Sequence, residues 1–212
     1  MKKKLKIIYE DKYLLVVEKP SGMLTISNNK ESINTLYHEV HEYLKSKNKK
    51  AFIIHRLDKD TSGLVLFAKD EKTKRYIQDN WNEVKREYIA LVNGNIKQEK
   101  GIIKTYLKET STLLVYSTND SKKGKLAITE YEKIKSNDNY SLLKINIKTG
   151  RKNQIRVHLN DIGHPIVGDK KYGKIKTNIN RLCLHASYLE FIHPYSKEII
   201  KLKSEYPELF NI

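Results

Sequence analysis

The feature that most restricts the fold of this chain is a long succession of short strand-like segments with few helices between them. Parallel strands need a crossover of a dozen or more residues, whereas antiparallel strands need only a tight turn. The sequence therefore predicts an α+β fold with a mixed, mainly antiparallel central sheet and flanking helices. The predicted strands are 5–9, 13–18, 63–68, 88–92, 102–106, 112–117, 126–134, 140–148, 184–192 and 198–203.

Three segments show the apolar spacing of helices. The first covers 32–45, with Ser32 as its N-cap, and the second covers 71–82. The third covers 153–162 and is followed by Gly163, at a position where a left-handed residue commonly ends a helix. No internal repeat and no Pro- or Ser-rich linker interrupts these elements, so one domain over 1–212 is expected.

The charge of the chain indicates its class of partner. The 212 residues include 41 Lys and Arg against 25 Asp and Glu, a formal net charge of +16. A surface of this charge attracts polyanions, and nucleic acid is the leading partner. The alternative is that the many lysines reflect a genome rich in Lys, Asn and Ile codons, and composition alone does not decide between the two.

Cysteine content and hydropathy exclude several other classes. Cys183 is the only cysteine, which excludes an internal disulfide and a thiolate zinc cage. No run approaches the roughly 18 apolar residues that a membrane span needs, and the start of the chain lacks a signal-peptide core. We therefore expect a cytoplasmic protein. His38 and His41 lie three residues apart on a predicted helix, but no third ligand is indicated, so no metal is expected.

The segment His55-Arg56-Leu57-Asp58-Lys59-Asp60-Thr61-Ser62-Gly63 lies between two apolar strand-like runs. The positive charges of Arg56 and Lys59 would keep Asp58 ionised, because an opposite charge lowers the pKa of a carboxylate. Asp58 would then be available as a nucleophile. The alternative is an ordinary turn, since Asp, Thr, Ser and Gly are the usual turn residues.

A second polar segment runs from Thr149 to Leu159. On a helix, Arg151, Gln154 and His158 would share one polar side. Arg156 lies off that row and is expected to point inward, where it needs an acidic partner, and Asp58 is one candidate. The alternative is a solvated helix face that binds phosphate weakly.

A third candidate is Tyr88, on an alternating strand that begins near Val84. A tyrosine at a cleft can stack on a base, a contact that contributes about 1–3 kcal/mol in proteins that bind single strands. A tyrosine that only packs in the sheet is the alternative.

Taken together, these segments resemble the RluA-type RNA pseudouridine synthases. The resemblance begins with Tyr9-Glu10-Asp11 and Val16-Val17-Glu18-Lys19-Pro20 and includes the Asp58 segment with Thr61-Ser62-Gly63. Later motifs follow in the same order and extend it to about Glu198. They are Tyr88-Ile89-Ala90-Leu91-Val92, Thr149-Gly150-Arg151, Gln154-Ile155-Arg156-Val157-His158-Leu159, Gly168-Asp169, Tyr172-Gly173, Leu184-His185-Ala186 and Phe191-Ile192-His193-Pro194.

The resemblance implies a pseudouridine synthase core with a central active-site cleft, and an isomerase that converts uridines of ribosomal or transfer RNA without a cofactor. It implies that Asp58 is the essential aspartate and that Arg156 is its ion-pair partner. Tyr88 would stack on the target uracil and Leu184 would contact its other side. Arg56 would take the place of the flipped-out nucleotide in the RNA stack.

The chain departs from the family pattern at two places. Lys152-Asn153 stands where the family usually has Thr-His, and Arg86-Glu87-Tyr88 replaces Lys-Thr-Tyr. The chain also begins almost at the first family motif, so we expect a single catalytic domain, 1–212, without a separate N-terminal RNA-binding domain. We further expect a monomer whose RNA-backbone contacts come from the Lys-rich segments 45–50, 121–125 and 170–176.

Two other functions are consistent with parts of this pattern. A catalytically silent RNA-binding protein on the same fold, such as a ribosome-assembly factor, would explain the +16 charge and the two departures. A phosphate-cleaving nuclease would need clustered acids for Mg²⁺, and Asp58 with Asp60 in one turn is a poor substitute. We rank the nuclease last.

Overall fold

The structure, a computed structural model, describes residues 5–27, 34–173, 175 and 177–212. Within these ranges the chain forms eleven strands, three α-helices and short 3₁₀ helices at Trp81–Glu83 and Glu208–Phe210. In chain order the elements are β1 (Ile7–Glu10), β2 (Leu14–Lys19), α1 (Leu36–Lys45), β3 (Phe52–Ile53), β4 (Ser62–Ala68), α2 (Glu71–Asp79), β5 (Lys85–Asn93), β6 (Lys100–Glu109), β7 (Val115–Thr118), β8 (Lys125–Ser136), β9 (Tyr140–Ile147), α3 (Gln154–Asp161), β10 (Leu184–Ile192) and β11 (Ile199–Lys203).

The chain divides into two compact units. The first unit comprises residues 1–86 and 186–205, and the second comprises 87–185 and 206–212. The strands of the first unit follow the order β1-β2-β4-β10, with β3 also on β4 and β11 on β10. The pairs β1/β2, β2/β4, β3/β4 and β10/β11 are antiparallel.

The core of the first unit lies between this sheet and helix α2. Leu14 and Val16 of β2, Leu64 and Leu66 of β4, and Ile77 of α2 are buried in one cluster. All four apolar residues 14–17 are fully buried, so β2 is covered on both faces. A strand covered in this way reads as a continuous apolar run rather than as an alternating one, as the sequence of β2 does.

Gly63 lets strand β4 approach β10 closely. Its φ is +115°, and a Cβ atom there would lie 2.2 Å from the carbonyl oxygen of Ala186. Only glycine combines this backbone conformation with such a contact. Gly63, five residues after Asp58, therefore fixes the start of β4 against the neighbouring strand.

The second unit is built on the strand order β5-β9-β8-β6-β7, in which each neighbouring pair is antiparallel. Helix α3 packs beside this sheet. A small core cluster joins Leu107, Val115 and Ala127 of the sheet to Val157 of α3. The predicted α+β fold, with a mixed sheet and three helices, is confirmed.

The helices differ from their predicted bounds mainly at the ends. Helix α1 begins at Leu36, and Thr35 caps it by accepting the His38 amide at 3.1 Å, whereas Ser32 lies outside the described residues. Helix α2 ends at Asp79, before Trp81. Gly163 has the expected left-handed conformation, with φ +80°. Among the described residues, no helix has the length and apolar character that crossing a bilayer would require.

Candidate active site

The Asp58 segment forms a turn in the first unit, with the half-buried Asp58 next to the buried Leu57 and the exposed Arg56. The Thr61 amide donates to the Asp58 carbonyl at 3.2 Å and closes the turn. The predicted turn is therefore present, but hydrogen bonds from another part of the chain also hold it on both sides.

Thr25 holds the residue before Asp58. Its hydroxyl donates to the Leu57 carbonyl at 2.7 Å and accepts the Leu57 amide at 3.1 Å. Thr25 is 2% exposed, so water does not compete for these two bonds. This double contact fixes the backbone on the N-terminal side of Asp58.

Lys19 and Ser21 hold the residues after Asp58. The Lys19 side chain is fully buried, and its ammonium group donates to the carbonyls of Lys59, Met23 and Pro20 at 2.8, 2.7 and 3.0 Å. The Ser21 hydroxyl donates to the Asp60 carbonyl at 2.6 Å. Asp58 thus lies on a turn whose backbone is anchored before and after it, as a positioned functional group requires.

We expect Lys19→Met to destabilise the first unit, because it leaves three backbone carbonyls without the ammonium group that donates to them. The free energy of unfolding should fall by about 3 kcal/mol. Urea denaturation measures this loss, and amide hydrogen exchange at Thr61 should show that the turn opens more often. Lys72→Met, at an exposed position on α2, is the matched control. Equal stabilities of the two variants would contradict this role for Lys19.

His55, at the start of the same segment, is a neutral packing residue. Its Nε2 accepts the Leu66 amide at 3.0 Å, and its ring lies 4.8 Å from that of Trp81. Burial, together with the charge of Arg86, lowers the pKa of His55 to about 3. The Arg86 guanidinium lies 5.1 Å from the Trp81 ring centre, so this departure from the family pattern has a stacking role of its own.

Arg156, on α3 in the second unit, is buried as expected, with 7% of its surface exposed. Its Nε and Nη2 donate to the two carboxylate oxygens of Asp169 at 2.8 and 2.7 Å. Burial acts to raise the pKa of Asp169, but the Arg156 charge and the amides of Lys171 and Tyr172 outweigh it and lower that pKa. Asp169 is an acidic partner that the sequence analysis did not identify, although Gly168-Asp169 was among the family motifs. The expected pair with Asp58 stays a prediction.

Asn153 fills the position where the family usually has His. Its φ is +53°, a left-handed conformation that Asn adopts more readily than most residues. Its Nδ2 donates to the Tyr172 hydroxyl at 3.0 Å, and its Oδ1 accepts Nη1 of Arg156 at 3.3 Å. The centre of the Tyr172 ring also lies 5.1 Å from the guanidinium carbon of Arg156. Asn153 therefore makes a polar contact to Arg156 in this chain.

The polar row predicted on α3 is only partly at the surface. Gln154 and His158 are buried, and both bond to the Thr129 hydroxyl of β8, at 3.0 and 2.8 Å. His158 also bonds to the Thr105 hydroxyl at 2.9 Å, and burial lowers its pKa to about 4. The alternative of a solvated helix face is therefore wrong for these two residues, which anchor α3 to the sheet and so position Arg156.

Tyr88 and Leu184 are both buried, with 9% and 3% of their surfaces exposed. Tyr88 lies on β5 opposite Ile145 of β9, and Leu184 is the first residue of β10. Three residues after Tyr88, the Leu91 amide of β5 donates at 3.1 Å to the carbonyl of Cys183, the residue before Leu184. Val167, two residues before Asp169, bonds to both of these residues. Its amide donates to the Leu91 carbonyl, and its carbonyl accepts the Cys183 amide.

The candidate residues are therefore distributed over the two units. Arg56 and Asp58 share one turn in the first unit. Tyr88, Arg156 and Leu184 belong to the second unit. Hydrogen bonds hold the backbone on both sides of Asp58 in the first group and the Arg156 side chain in the second.

Comparison with known proteins relates these residues to a family. The family model described as RNA pseudouridylate synthase matches residues 13–161, which include Asp58, Tyr88 and Arg156. The ribosomal large subunit pseudouridine synthase C of Buchnera aphidicola subsp. Baizongia pistaciae is 38% identical, over 96% of this chain and 68% of that protein. The tRNA pseudouridine synthase C of Haemophilus ducreyi is 34% identical, over 98% of this chain and 95% of that protein.

A solved structure supports the same grouping at the level of the fold. The human RNA pseudouridylate synthase domain containing 4 superposes with a TM-score of 0.81 at 23% identity, over 97% of this chain and 90% of that one. The motifs, the fold and the relatives agree. The chain therefore belongs to the RluA-type RNA pseudouridine synthases, isomerases that convert uridine in RNA to pseudouridine.

Proposed function

We propose that this chain isomerises specific uridines of ribosomal or transfer RNA, with Asp58 as the essential aspartate and the target base flipped out of its helix. The observation that carries the proposal is the anchored Asp58 turn inside the matched family region. An intact acidic side chain on a backbone held at both ends is what a positioned catalytic group requires, and a simple surface turn would not need it.

The reaction breaks the bond from ribose C1′ to uracil N1 and forms the bond from C1′ to C5. The hydrogen lost from C5 is balanced by the one gained at N1, so no oxidant, reductant or cofactor is needed. The detached base must stay bound while it turns. A stacked aromatic ring holds a flat base without fixing its orientation in the plane, which is the role proposed for Tyr88.

Asp58 would act as an ionised carboxylate. Such a group can add to the base, attack the sugar or remove a ribose proton, and all three routes need it charged and positioned. Arg156 is proposed to stabilise that charge in the reacting complex. The bonds from Asp169 and Asn153 hold the Arg156 side chain in a defined conformation and support this role.

The remaining roles concern the RNA. Leu184 would contact the face of the base opposite Tyr88. Arg56, which is exposed on the Asp58 turn, would fill the gap that the extruded nucleotide leaves in the stack. Extruding a base costs a few kcal/mol, so a side chain that replaces its stacking lowers that cost.

The substrate class rests on the names of the relatives and on charge. The two relatives are named for the large ribosomal subunit and for tRNA. The net charge of +16 suits a phosphate backbone. We further propose that residues 1–212 act as one catalytic domain in the cytoplasm, where such RNAs are found.

The direct test uses purified protein and unmodified transcripts of large-subunit ribosomal RNA and of transfer RNAs. After incubation, carbodiimide-reactive positions are mapped by primer extension. We expect new pseudouridine at one or a few positions of one RNA class. No modified position across this set would contradict the proposal and favour the silent RNA-binding protein.

A further inference from the structure

The second unit contains a basic groove that includes three lysines of the segment 121–125, one of the three segments expected from the sequence to contact the RNA backbone. It has a volume of about 470 Å³ and lies between the ends of β6 and β7, the turn before β8, and the loop that leads into α3. Its cationic side chains are those of Lys108, Lys122, Lys123, Lys125, Arg151 and Lys152. One carboxylate, that of Glu109, lines it as well.

The walls of the groove are ordered by local bonds. The Asp120 carboxylate accepts the Lys122 amide at 2.9 Å and pairs with the Lys123 ammonium at 3.2 Å. Gly124 lets this turn approach β6 closely, because a Cβ atom at that position would lie 2.9 Å from Cβ of Tyr106. On the opposite wall, Arg151 donates from Nε to the Leu126 carbonyl at 3.0 Å. The cations are therefore presented on a fixed backbone.

The lining of the groove selects among anionic ligands. Its floor is apolar, with Leu107 and Val115 almost fully buried, and no aromatic side chain is among the described residues that line it. Stacking on bases relies mainly on aromatic faces, and the one guanidinium of the lining, that of Arg151, already donates from Nε to a backbone carbonyl. The five lysines meet phosphates as point charges. The lining therefore favours the phosphates of a polynucleotide over its bases.

We propose that this groove binds the phosphate backbone of the RNA substrate next to the segment that contains the target uridine. The proposal rests on the proposed function for the identity of the RNA. Its position supports it, because Arg151 and Lys152 immediately precede the helix that carries Arg156. An RNA strand that lies in the groove would therefore pass the N-terminal end of α3.

Glu109 gives the groove a tunable contact. Its carboxylate pairs with the ammonium group of Lys152. Lys152 is the residue that stands where the family usually has Thr. A phosphate in the groove has to compete with this carboxylate for Lys152. Removing the Glu109 charge is therefore expected to strengthen RNA binding, whereas reversing a lysine charge weakens it.

The test measures the dissociation constants of unmodified large-subunit ribosomal RNA and transfer RNA transcripts at several KCl concentrations. Lys108→Glu/Lys122→Glu changes two exposed groove residues, and Lys72→Glu/Lys135→Glu makes the same charge change at exposed positions elsewhere. We expect the groove variant to bind RNA roughly tenfold more weakly than the control. The slope of the logarithm of its association constant against the logarithm of the KCl concentration should be shallower by about 1.5. Glu109→Gln should bind a few-fold more tightly than the wild type.

Equal weakening of RNA binding in the groove and control variants would overturn the groove proposal, and so would a wild type that binds no RNA. A groove variant that loses binding only to phosphatidylserine vesicles would also overturn it, in favour of a membrane surface. Pseudouridine formation by the wild type is read separately. If the enzyme is active but the groove variant binds RNA like its control, only the groove proposal is contradicted. If the protein is inactive but the groove binds RNA, only the proposed function is contradicted.

Discussion

Replacing Asp58 with Asn is expected to abolish pseudouridine formation while the protein stays folded and binds RNA. The amide has nearly the same shape as the carboxylate but carries no charge and cannot act as a base or nucleophile. A positioned acid–base group contributes up to roughly 10⁴-fold to a rate, and loss of a nucleophile costs at least as much. Single-turnover assays with excess enzyme, read by carbodiimide mapping, should show no product above background.

Asp60→Asn is the matched control, because Asp60 lies in the same turn and is also half-buried. The Asp60 carbonyl, not its side chain, accepts the Ser21 bond that anchors the turn. This variant should keep activity within a few-fold of the wild type. An Asp58→Asn protein that modifies RNA at the wild-type rate would contradict the assignment of Asp58, and an equal loss in both variants would point to the turn rather than to the carboxylate.

The largest expected effect on stability comes from Asp169→Asn. Its carboxylate is completely buried and bidentate to Arg156, whose side chain is 8% exposed. Removing one partner of a buried pair leaves the other charge uncompensated and costs about 3–5 kcal/mol. Urea denaturation should show this loss, and the melting temperature should fall by roughly 10 °C.

The difference in unfolding free energy between the wild type and Asp169→Asn should depend on pH in a defined direction. The folded state lowers the pKa of Asp169 below its ordinary value, so the unfolded chain binds the proton more tightly. The stabilisation is therefore fully present above the ordinary pKa of about 4 and is lost as the pH falls through the lower folded value. The gap between wild type and Asp169→Asn should narrow below pH 4. A gap that stays constant from pH 7 to pH 3 would contradict the ion pair.

A double variant separates stability from catalysis. Arg156→Met/Asp169→Leu replaces both charges with apolar side chains, a change that often restores the stability lost when a buried pair is broken. We expect the double variant to be more stable than Asp169→Asn and still inactive, because Arg156 is absent. Recovery of activity together with stability would show that Arg156 acts only in packing.

Periodicity and turn residues predicted most of the fold. Strand β10 has the predicted bounds, β4 begins one residue earlier than predicted, and β2 begins and ends one residue later than predicted. The apolar runs of β2 and β4 are bounded by Pro, Gly or charged residues, and such local signals can be recognised in the sequence alone. The Asp58 turn was also identified, because its motif is contiguous in the chain.

The contacts that hold the candidate site could not be predicted in the same way. Lys19 is a buried cation that bonds to a carbonyl 40 residues away, yet in the sequence it is only one of many lysines, in a motif before Pro20. Gln154 and His158 were interpreted as a polar face because helical spacing shows only that they share a side. Their partner, Thr129, comes from a strand about 25 residues earlier, and pairing at such separation has no local pattern.

The most direct test of the account compares modification maps of total RNA from cells that lack the gene and carry either the wild-type chain or Asp58→Asn. The account predicts that at least one pseudouridine in ribosomal or transfer RNA disappears with the gene, returns with the wild type and stays absent with the variant. Return of that pseudouridine with Asp58→Asn, or a map unchanged by loss of the gene, would contradict it.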